Sequence, residues 1–317
     1  QVTRVRVPFR APFATATGTW TARDAWIVVR RLDDGRSGVG ESAIQDGELV
    51  AALDMVRVDL QGPPDDQPWV GVNATIEALS TDAAVEAALD AVGAGYRTLK
   101  LKAGPAESAR ALVERLAAVR RAVGAEVALR LDVNGTWDRD GAIERLRALD
   151  DVGLQYVEQP CAPAALADAA ALRQETGVAV AADDAVESMT AAQAILDAGA
   201  ADVLVVKPGR VGGPAPASAI ATMAAARGVP VVISSLFETG IGLAAGISCA
   251  ATLPDVEGWP TADRDHGLAT ADLLVDDLIV EPLLVEGGRI RAPGGPGTGA
   301  LGVRLDDAAV ARFAVGT

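Results

Sequence analysis

Five ionisable side chains follow one another along this chain at nearly regular intervals. They are Lys102, Asp132, Glu158, Asp183 and Lys207, separated by 30, 26, 25 and 24 residues. Carboxylates on one cavity wall repel each other unless a cation lies among them. Oxygen ligands without cysteine or histidine favour a hard ion, so the three acids predict a Mg²⁺ site, with Mn²⁺ as an alternative. The lysines would supply acid and base groups on either side of the metal.

Each of these residues also has a purely structural explanation. An acidic residue after a strand often caps the helix that follows it. Lysines beside carboxylates can form a charge network that has no catalytic role. The repeated spacing favours the functional explanation, because it would bring all five residues to the same end of one barrel. A metal and a second ammonium group there are expected to lower the pKa of a nearby lysine and make it a base.

The spacing requires a structural unit that repeats along the chain. Each of the five residues ends or follows a short apolar, β-branched run, and an alanine-rich helical pattern comes next. Strand–loop–helix units of this length build a parallel β/α barrel, whose strand ends meet at one rim. We predict strands near 70–72, 98–102, 127–131, 155–157, 178–182, 202–206 and 229–233, and helices near 81–93, 106–123, 138–149, 163–175, 189–198, 214–227 and 241–252.

The first 66 residues follow a different pattern and are predicted to form a small α+β cap. Residues 12–20 read as a small-residue loop that serves, with Arg23, as a lid, and 62–66 read as a linker. Residues 67–271 form the predicted barrel, although its eighth unit is less clear than the others. Short strands within residues 272–317 are expected to return to the cap.

Length, composition and charge restrict the function classes. The 317 residues suit one barrel with a small accessory domain, and the net charge of −15 without a basic run argues against nucleic acid. No apolar run reaches the length of a membrane span, and no signal peptide is visible. Cys161 and Cys249 form no Cys-x-x-Cys motif, so we expect reduced thiols in a cytoplasmic protein.

The sequence has too few histidines for most histidine-based catalytic or metal sites. His266 is the single histidine, which argues against a poly-histidine zinc site and most catalytic triads. It lies in the polar, turn-like segment 263–267, where we expect a surface or capping role.

The strings around the five residues resemble the muconate-lactonising subgroup of the enolase superfamily. This resemblance implies a modified TIM barrel, (β/α)7β, with an α+β cap closing over its strand ends. It implies that the three acids bind Mg²⁺ and that a lysine removes the proton beside a substrate carboxylate. Asp184 departs from the family, which usually has Glu there, and strand alternation favours Asp183 as the ligand. The matching strings are Lys100-Leu-Lys102, Leu131-Asp-Val-Asn134, Val157-Glu-Gln-Pro160, Ala182-Asp-Asp184 and Val206-Lys-Pro208. The strings Gly38-Val-Gly-Glu41 and Pro296-Gly-Thr-Gly-Ala-Leu-Gly302 also resemble family segments.

Within that subgroup the compact chain is most similar to the o-succinylbenzoate synthases of menaquinone biosynthesis. The implied reaction is a syn dehydration of 2-succinyl-6-hydroxy-2,4-cyclohexadiene-1-carboxylate, in which Lys102 takes the α-proton and then protonates the departing hydroxyl. Lys207 would stay cationic and stabilise the enolate. N-acylamino-acid racemases, dipeptide epimerases and muconate cycloisomerases share these residues and remain alternatives, as does a non-catalytic barrel that binds a metal or ligand.

Six further residues are candidates for contact with a small carboxylate substrate. Several of them have a simpler alternative, because polar and small residues after a strand commonly form turns. Lys100 shares a strand face with Lys102 and is expected to lower its pKa or to hold a carboxylate. The six are Lys100, Asn134, Ser234, Ser235, Gly240 and Arg23.

Overall fold

A computed structural model describes residues 1–15, 18–43, 49–62, 67–104, 106–294 and 298–316. The chain begins with the antiparallel strands β1 (Val2–Thr15), β2 (Gly18–Arg31) and β3 (Ser37–Ala43), paired in that order. Helix α1 (Val50–Asp59) packs on this sheet. The sheet and the helix are the predicted α+β cap, and we use that name for them below.

Two glycines of β3 allow the helix of the cap to lie against the sheet. A Cβ atom on Gly40 would stand 2.0 Å from the carbonyl oxygen of Ala52, and one on Gly38 would stand 2.7 Å from that of Val56. Any larger residue would therefore push α1 away from β3. This close approach explains the Gly-x-Gly pattern that precedes Glu41.

The prediction of a loop over residues 12–20 is wrong. Strand β1 extends to Thr15 and β2 starts at Gly18, so both flanks of this segment are paired strands. Pro12 and the small residues obscured the strand pattern, and the pairing register shifts between Pro8 and Phe13. Residues 16 and 17, and residues 63–66 of the predicted linker, lie outside the described part of the chain.

A parallel sheet follows the cap and forms most of the barrel. Strand β4 (Trp69–Gly71) precedes it and belongs to a separate small sheet, so the first barrel strand begins later than predicted. Within the described ranges the parallel strands pair in chain order: β5 (Ala74–Ile76), β6 (Thr98–Lys102), β7 (Ala128–Asp132), β8 (Leu154–Glu158), β9 (Val180–Ala182), β10 (Val203–Val206) and β11 (Val231–Ile233).

Helices connect the barrel strands, and those predicted from the sequence begin and end within three residues of their predicted bounds. The one-turn helix directly after Lys207 was not predicted, because its Pro-Gly start reads as a turn. The connecting helices are α2 (Thr81–Gly93), α3 (Ala109–Val123), α4 (Arg139–Ala148), α5 (Leu166–Thr176), α6 (Met189–Asp197), the one-turn α7 (Pro208–Val211), α8 (Pro214–Ala225) and α9 (Gly240–Ala251).

A very short segment closes the ring between the first and last strands of this sheet. His266 forms a parallel bridge with Val72, and Gly267 forms one with Ser234. The amide of Asn73 donates to the carbonyl oxygen of His266, and the amide of Gly267 donates to that of Ile233, both at 2.9 Å. This eighth strand has no helix of its own, which confirms the (β/α)7β barrel.

The C-terminal residues return to the beginning of the chain. Strand β12 (Val285–Glu286) pairs with β13 (Arg289–Arg291), which pairs with β4. After helix α10 (Asp307–Phe313), Ala314 bridges Val5 in the cap sheet. The exact domain boundaries stay a prediction. Among the described residues, no helix is long and apolar enough to cross a membrane.

Candidate active site

The five regularly spaced residues stand at the carboxyl ends of consecutive barrel strands. Lys102, Asp132 and Glu158 are the last residues of β6, β7 and β8, and the register pairs each with the next. Asp183 directly follows β9, and Lys207 directly follows β10. Because parallel strands end at one rim, the fold brings all five to the same mouth of the barrel.

Ammonium and carboxylate groups form a network of two parts at this rim, one around Lys100 and Lys102 and one around Lys207. Nζ of Lys102 donates to Oδ2 of Asp132 at 2.7 Å, and Nζ of Lys207 donates to Oδ2 of Asp183 at 2.7 Å. Lys100 lies between two acids: its Nζ is 2.9 Å from Oε1 of Glu158 and 3.1 Å from Oδ2 of Asp132. The three carboxylates are at most 4% exposed. The network itself agrees with both the functional and the structural explanation.

A feature of the composition favours the functional explanation. Lys100, Lys102 and Lys207 are the three lysines of the chain, and the remaining residues of the 28 that are Lys or Arg are arginines. Arginine does not lose its proton in proteins, whereas lysine can act as a base. A purely structural charge network would not need lysine at these positions and arginine everywhere else. The spacing of the five residues does not by itself show that lysine is confined to these positions.

Burial and neighbouring charges alter the acidity of these groups. Burial raises the pKa of Glu158 to about 7, and the negative charge of Asp132 adds to the rise while Lys100 opposes it. Burial also opposes ionisation of Asp132, but the ammonium groups of Lys100 and Lys102 outweigh it and lower its pKa. Burial disfavours a charged Lys100, yet Glu158 and Asp132 raise its pKa well above the usual value. The neighbouring carboxylates therefore favour the charged form of Lys100.

The donor set at the rim is suited to a hard divalent cation. Three buried carboxylates on adjacent strands offer oxygen ligands, as Mg²⁺ prefers. Oδ1 of Asp183 is buried, faces Lys207 and receives no well-directed hydrogen bond from the described residues. As these side chains stand, no three metal-ligating groups in the described ranges are arranged to hold an ion. Ammonium groups instead face the carboxylates, so a metal would have to replace some of these contacts.

Asn134 and Asp184 flank this network. Asn134 has a left-handed φ of 53°; its amide donates to Oδ1 of Asp132 and its Oδ1 accepts from Nζ of Lys102, both at 3.1 Å. Oδ1 of Asp184 lies 2.7 Å from Arg210 and 3.8 Å from Lys207. The Asp184 side chain is 25% exposed whereas that of Asp183 is 4% exposed, so the alternation argument for Asp183 agrees with the geometry.

The candidates after β11 bind other protein groups. The hydroxyl of Ser235 donates to Oε2 of Glu238 at 2.6 Å, and that of Ser234 faces the carbonyl oxygen of Gly267 at 3.5 Å. The amide of Gly240 donates to Oδ1 of Asp277 at 2.7 Å. These contacts are those of a structured turn, and substrate contact by the three residues stays a prediction.

Arg23 is buried where the cap meets the barrel. Its Nε lies 3.5 Å from Oε1 of Glu41, and its Nη1 donates to the carbonyl oxygen of Leu236 at 3.3 Å. Glu41 in turn accepts hydrogen bonds from Thr239. Arg23 therefore fastens the cap to the β11–α9 turn. The role of Glu41 had not been predicted, although it ends the Gly38-Val-Gly-Glu41 string.

His266 is not at the surface, and the predicted surface or capping role is wrong. Its ring is 1% exposed, and its Nδ1 accepts a hydrogen bond from the amide of Ile233 at 3.0 Å. Burial, with the positive charges of Arg130 and Arg264, lowers the pKa of His266 to about 3. It is thus a neutral core residue of the closing strand.

These features define a β/α barrel with a lysine–carboxylate rim under an α+β cap. Residues 83–309 match the family model described as enolase C-terminal domain-like. The chain belongs to this family and so to the enolase superfamily.

Within the superfamily, the chain is similar to several o-succinylbenzoate synthases. The chain is 40% identical over 227 residues to an o-succinylbenzoate synthase of Thermobifida fusca, covering 71% of this chain and 67% of the relative. It is 38% identical over 229 residues to one of Mycobacterium ulcerans, covering 72% and 65%. The matches therefore span about two thirds of the length of these relatives.

Solved structures show the same fold. A muconate lactonizing enzyme from Pseudomonas fluorescens, complexed with muconolactone, has a TM-score of 0.87 at 21% identity and covers 99% of this chain and 98% of its own. The L-Ala-D/L-Glu epimerase of Bacillus subtilis has a TM-score of 0.83 at 24% identity, with coverage of 96% and 98%. These likenesses concern the fold and not the substrate.

Proposed function

We propose that this protein dehydrates 2-succinyl-6-hydroxy-2,4-cyclohexadiene-1-carboxylate to 2-succinylbenzoate in menaquinone biosynthesis, with Mg²⁺ as its metal. The observation that carries the proposal is the contact between Lys102 and Asp132 at the barrel rim. It sets a lysine that can accept a proton beside a carboxylate that can hold a metal. The names of the relatives supply the product, o-succinylbenzoate.

Lys102 acts as the general base and then as the general acid. Its neutral amine takes the proton from the carbon beside the substrate carboxylate, and the resulting ammonium group protonates the hydroxyl that leaves as water. Lys207, which stands four strands further round the barrel, stays charged and stabilises the enolate. Asp132, Glu158 and Asp183 would hold Mg²⁺, which supplies positive charge to the substrate carboxylate when bound.

The charge balance of the rim suits a substrate with two carboxylates. The three lysines offset the charges of Asp132, Glu158 and Asp183, and Asp184 is paired with Arg210. With all three lysines protonated, a bound divalent cation would leave an excess of about two positive charges, and the proton that Lys102 gives up before it acts as a base reduces this excess to about one. The proposed substrate, with its ring carboxylate and its succinyl carboxylate, is a dianion and would balance the larger excess on binding.

A cavity of about 580 Å³ lies beside the rim, although its lining residues do not include the rim lysines and carboxylates. It lies between the cap and the loops after β9 and β10, and its lining includes Ser42, Glu187 and Arg210. We place the entry route here, beside the residues that follow Asp183 and Lys207. The buried free thiols of Cys161 and Cys249 are consistent with action in the cytoplasm.

Racemisation of N-acylamino acids is a second candidate, favoured by the symmetry of the rim. Lys102 and Lys207 each contact an aspartate on well-separated strands: Nζ of Lys102 lies 2.7 Å from Oδ2 of Asp132, and Nζ of Lys207 lies 2.5 Å and 2.7 Å from the two carboxylate oxygens of Asp183. Two lysines on opposite faces of a substrate are what a two-base racemase needs, because one removes the proton and the other returns it.

Turnover assays of the purified protein with Mg²⁺ distinguish these functions. We expect dehydration of the cyclohexadiene substrate, a loss of kcat of about 10²–10⁴-fold in Lys102→Ala, and some remaining dehydration in Lys207→Arg. Racemisation of N-succinyl amino acids should vanish in both variants. Arg110→Ala on the exposed face of α3 is the control. Wild-type turnover by Lys102→Ala would refute the mechanism, and inactivity of the wild type on both substrates would favour a non-catalytic barrel.

A further inference from the structure

Gln159 has an unusual backbone conformation directly beside a proposed metal ligand. It follows Glu158, precedes Pro160 and adopts a φ of 42°. Residues other than glycine rarely adopt left-handed values, and a following proline restricts the backbone further. Such conformations persist where surrounding contacts impose them. Gln159 is 6% exposed, so those contacts come from the protein.

The side-chain amide of Gln159 makes three hydrogen bonds to the main chain of neighbouring loops. Its Oε1 accepts hydrogen bonds from the amides of Asp183 at 3.0 Å and Ala185 at 3.2 Å. Its Nε2 donates to the carbonyl oxygen of Cys161 at 2.9 Å. One side chain therefore ties the loop that carries Asp183 to the loop that carries Glu158.

The main chain of Gln159 extends this connection to both neighbouring strands. Its amide donates to the carbonyl oxygen of Ala181 at 2.8 Å, and its carbonyl oxygen accepts from the amide of Gly135 at 2.6 Å. Gly135 lies in the turn after Asp132. A single buried residue thus links the turns behind all three carboxylates of the rim.

We propose that Gln159 is a positioning residue that fixes the separation of Glu158 and Asp183 and so preorganises the rim for a divalent cation. This inference rests on the proposed function, because that function assigns the metal to these carboxylates. Gln159 itself does not touch the ion. Its side chain holds the amide of Asp183, and that bond sets the direction from which the Asp183 carboxylate enters the site.

Metal binding without substrate tests the role directly. We expect Gln159→Met, which keeps the size but removes the acceptor, to weaken Mn²⁺ binding at least tenfold, measured from free Mn²⁺ by electron paramagnetic resonance. Gln159→Glu loses the donor to Cys161 but keeps an acceptor for the amides of Asp183 and Ala185, so it isolates these two bonds and should bind Mn²⁺ within about threefold of the wild type. Hydrogen exchange of residues 183–185 in the metal-free protein should accelerate in Gln159→Met but not in Gln159→Glu.

Two controls separate the possible results. Val119→Ala removes core contacts in α3 and lowers stability without touching the rim, so its Mn²⁺ affinity should equal that of the wild type. Asp183→Asn should lose Mn²⁺ binding. If the wild type bound no Mn²⁺, or Asp183→Asn bound it normally, the proposed metal site would fail and this inference with it. If both behaved as expected while Gln159→Met bound Mn²⁺ like the wild type, the positioning role alone would be refuted.

Discussion

Glu41 of the cap accepts a 2.6 Å hydrogen bond from the hydroxyl of Thr239, the residue that precedes barrel helix α9. The same carboxylate accepts from the amides of Thr239 and Gly242 at 3.1 Å. Thr239 is the N-cap residue of α9, and its side chain makes no capping hydrogen bond to the amides of this helix. The cap therefore supplies the N-terminal acceptor of a barrel helix, where a negative charge is stabilising.

Replacing Glu41 by alanine should loosen this contact between the cap and the barrel. The change leaves Arg23 buried without its carboxylate, which costs about 3–5 kcal/mol in similar pairs. Glu41→Gln also leaves Arg23 without its carboxylate but keeps one oxygen acceptor for Thr239, so it should cost less than Glu41→Ala by about the 0.5–2 kcal/mol of a lost helix cap. Urea unfolding of the three proteins measures the free energies of unfolding. Equal midpoints for wild type and Glu41→Ala would contradict the importance of this contact.

A second acid of the cap makes an equivalent contact with helix α8. Oδ2 of Asp54, in α1, accepts a hydrogen bond from the amide of Ala215 at 2.8 Å. Asp54→Ala should lower the free energy of unfolding by about 0.5–2 kcal/mol, as the loss of a helix cap does. Asp54→Asn, which keeps the acceptor, is the matched control for urea unfolding. A loss as large in Asp54→Asn would point to charge instead of capping.

Removing Lys100 should make the fold depend on metal. Lys100→Met leaves Glu158 and Asp132 buried without their shared ammonium group, and we expect the metal-free protein to lose about 3–5 kcal/mol of stability. A divalent cation can neutralise the same carboxylates, so Mg²⁺ should raise the melting temperature of this variant more than that of the wild type. Thermal unfolding with and without Mg²⁺ measures both effects.

The matched control for Lys100 is Arg110→Met, which removes an exposed basic residue paired with Glu114. Surface ion pairs contribute little, so neither the stability nor its response to Mg²⁺ should change. An equal response to Mg²⁺ in Lys100→Met and in the wild type would argue that the metal binds elsewhere.

His266 should make the protein less stable in mild acid. Its pKa of about 3 in the fold lies below the ordinary value of 6.5, so the unfolded chain binds a proton first as the pH falls. Above pH 6.5 the ring is neutral in both the folded and the unfolded chain and does not change the free energy of unfolding. Below pH 6.5 the free energy of unfolding falls progressively. Between pH 7 and pH 5 this loss is about 2 kcal/mol.

His266→Asn isolates that contribution, because its Oδ1 can accept the bond from the amide of Ile233 without titrating. The free energy of unfolding should fall more steeply with decreasing pH in the wild type than in His266→Asn. Parallel pH profiles of the two proteins would show that His266 is not the titrating group.

The barrel and its rim were predictable because their signals are local. Asp132 and Glu158 each end an apolar, β-branched run, and such runs with helices between them produce one topology. The partners of Glu41 were not predictable in this way. Thr239 lies 198 residues away, and no periodic pattern connects the two. Gln159 lies in the string Val157-Glu-Gln-Pro160, which resembles the enolase superfamily, but its hydrogen bonds depend on how the following loop folds.

His266 illustrates a different limit. Asp263 and Asp265 make its surroundings look like an exposed turn, whereas the structure buries Arg264, Asp265 and His266 at the closing strand. A strand with two bridging residues has too few side chains to show a period of two. The structure pairs it through backbone hydrogen bonds, which sequence composition does not report.

The position of this closing strand also determines when the barrel can be completed during synthesis. Strands β5 to β11 can pair one after another as the nascent chain emerges, but residues 266–267 arrive well after β11. Until then the sheet has two open edges, and open edges invite pairing with other chains. Chains that stop between β11 and His266 should therefore aggregate and bind chaperones, whereas chains that include Gly267 can close the ring.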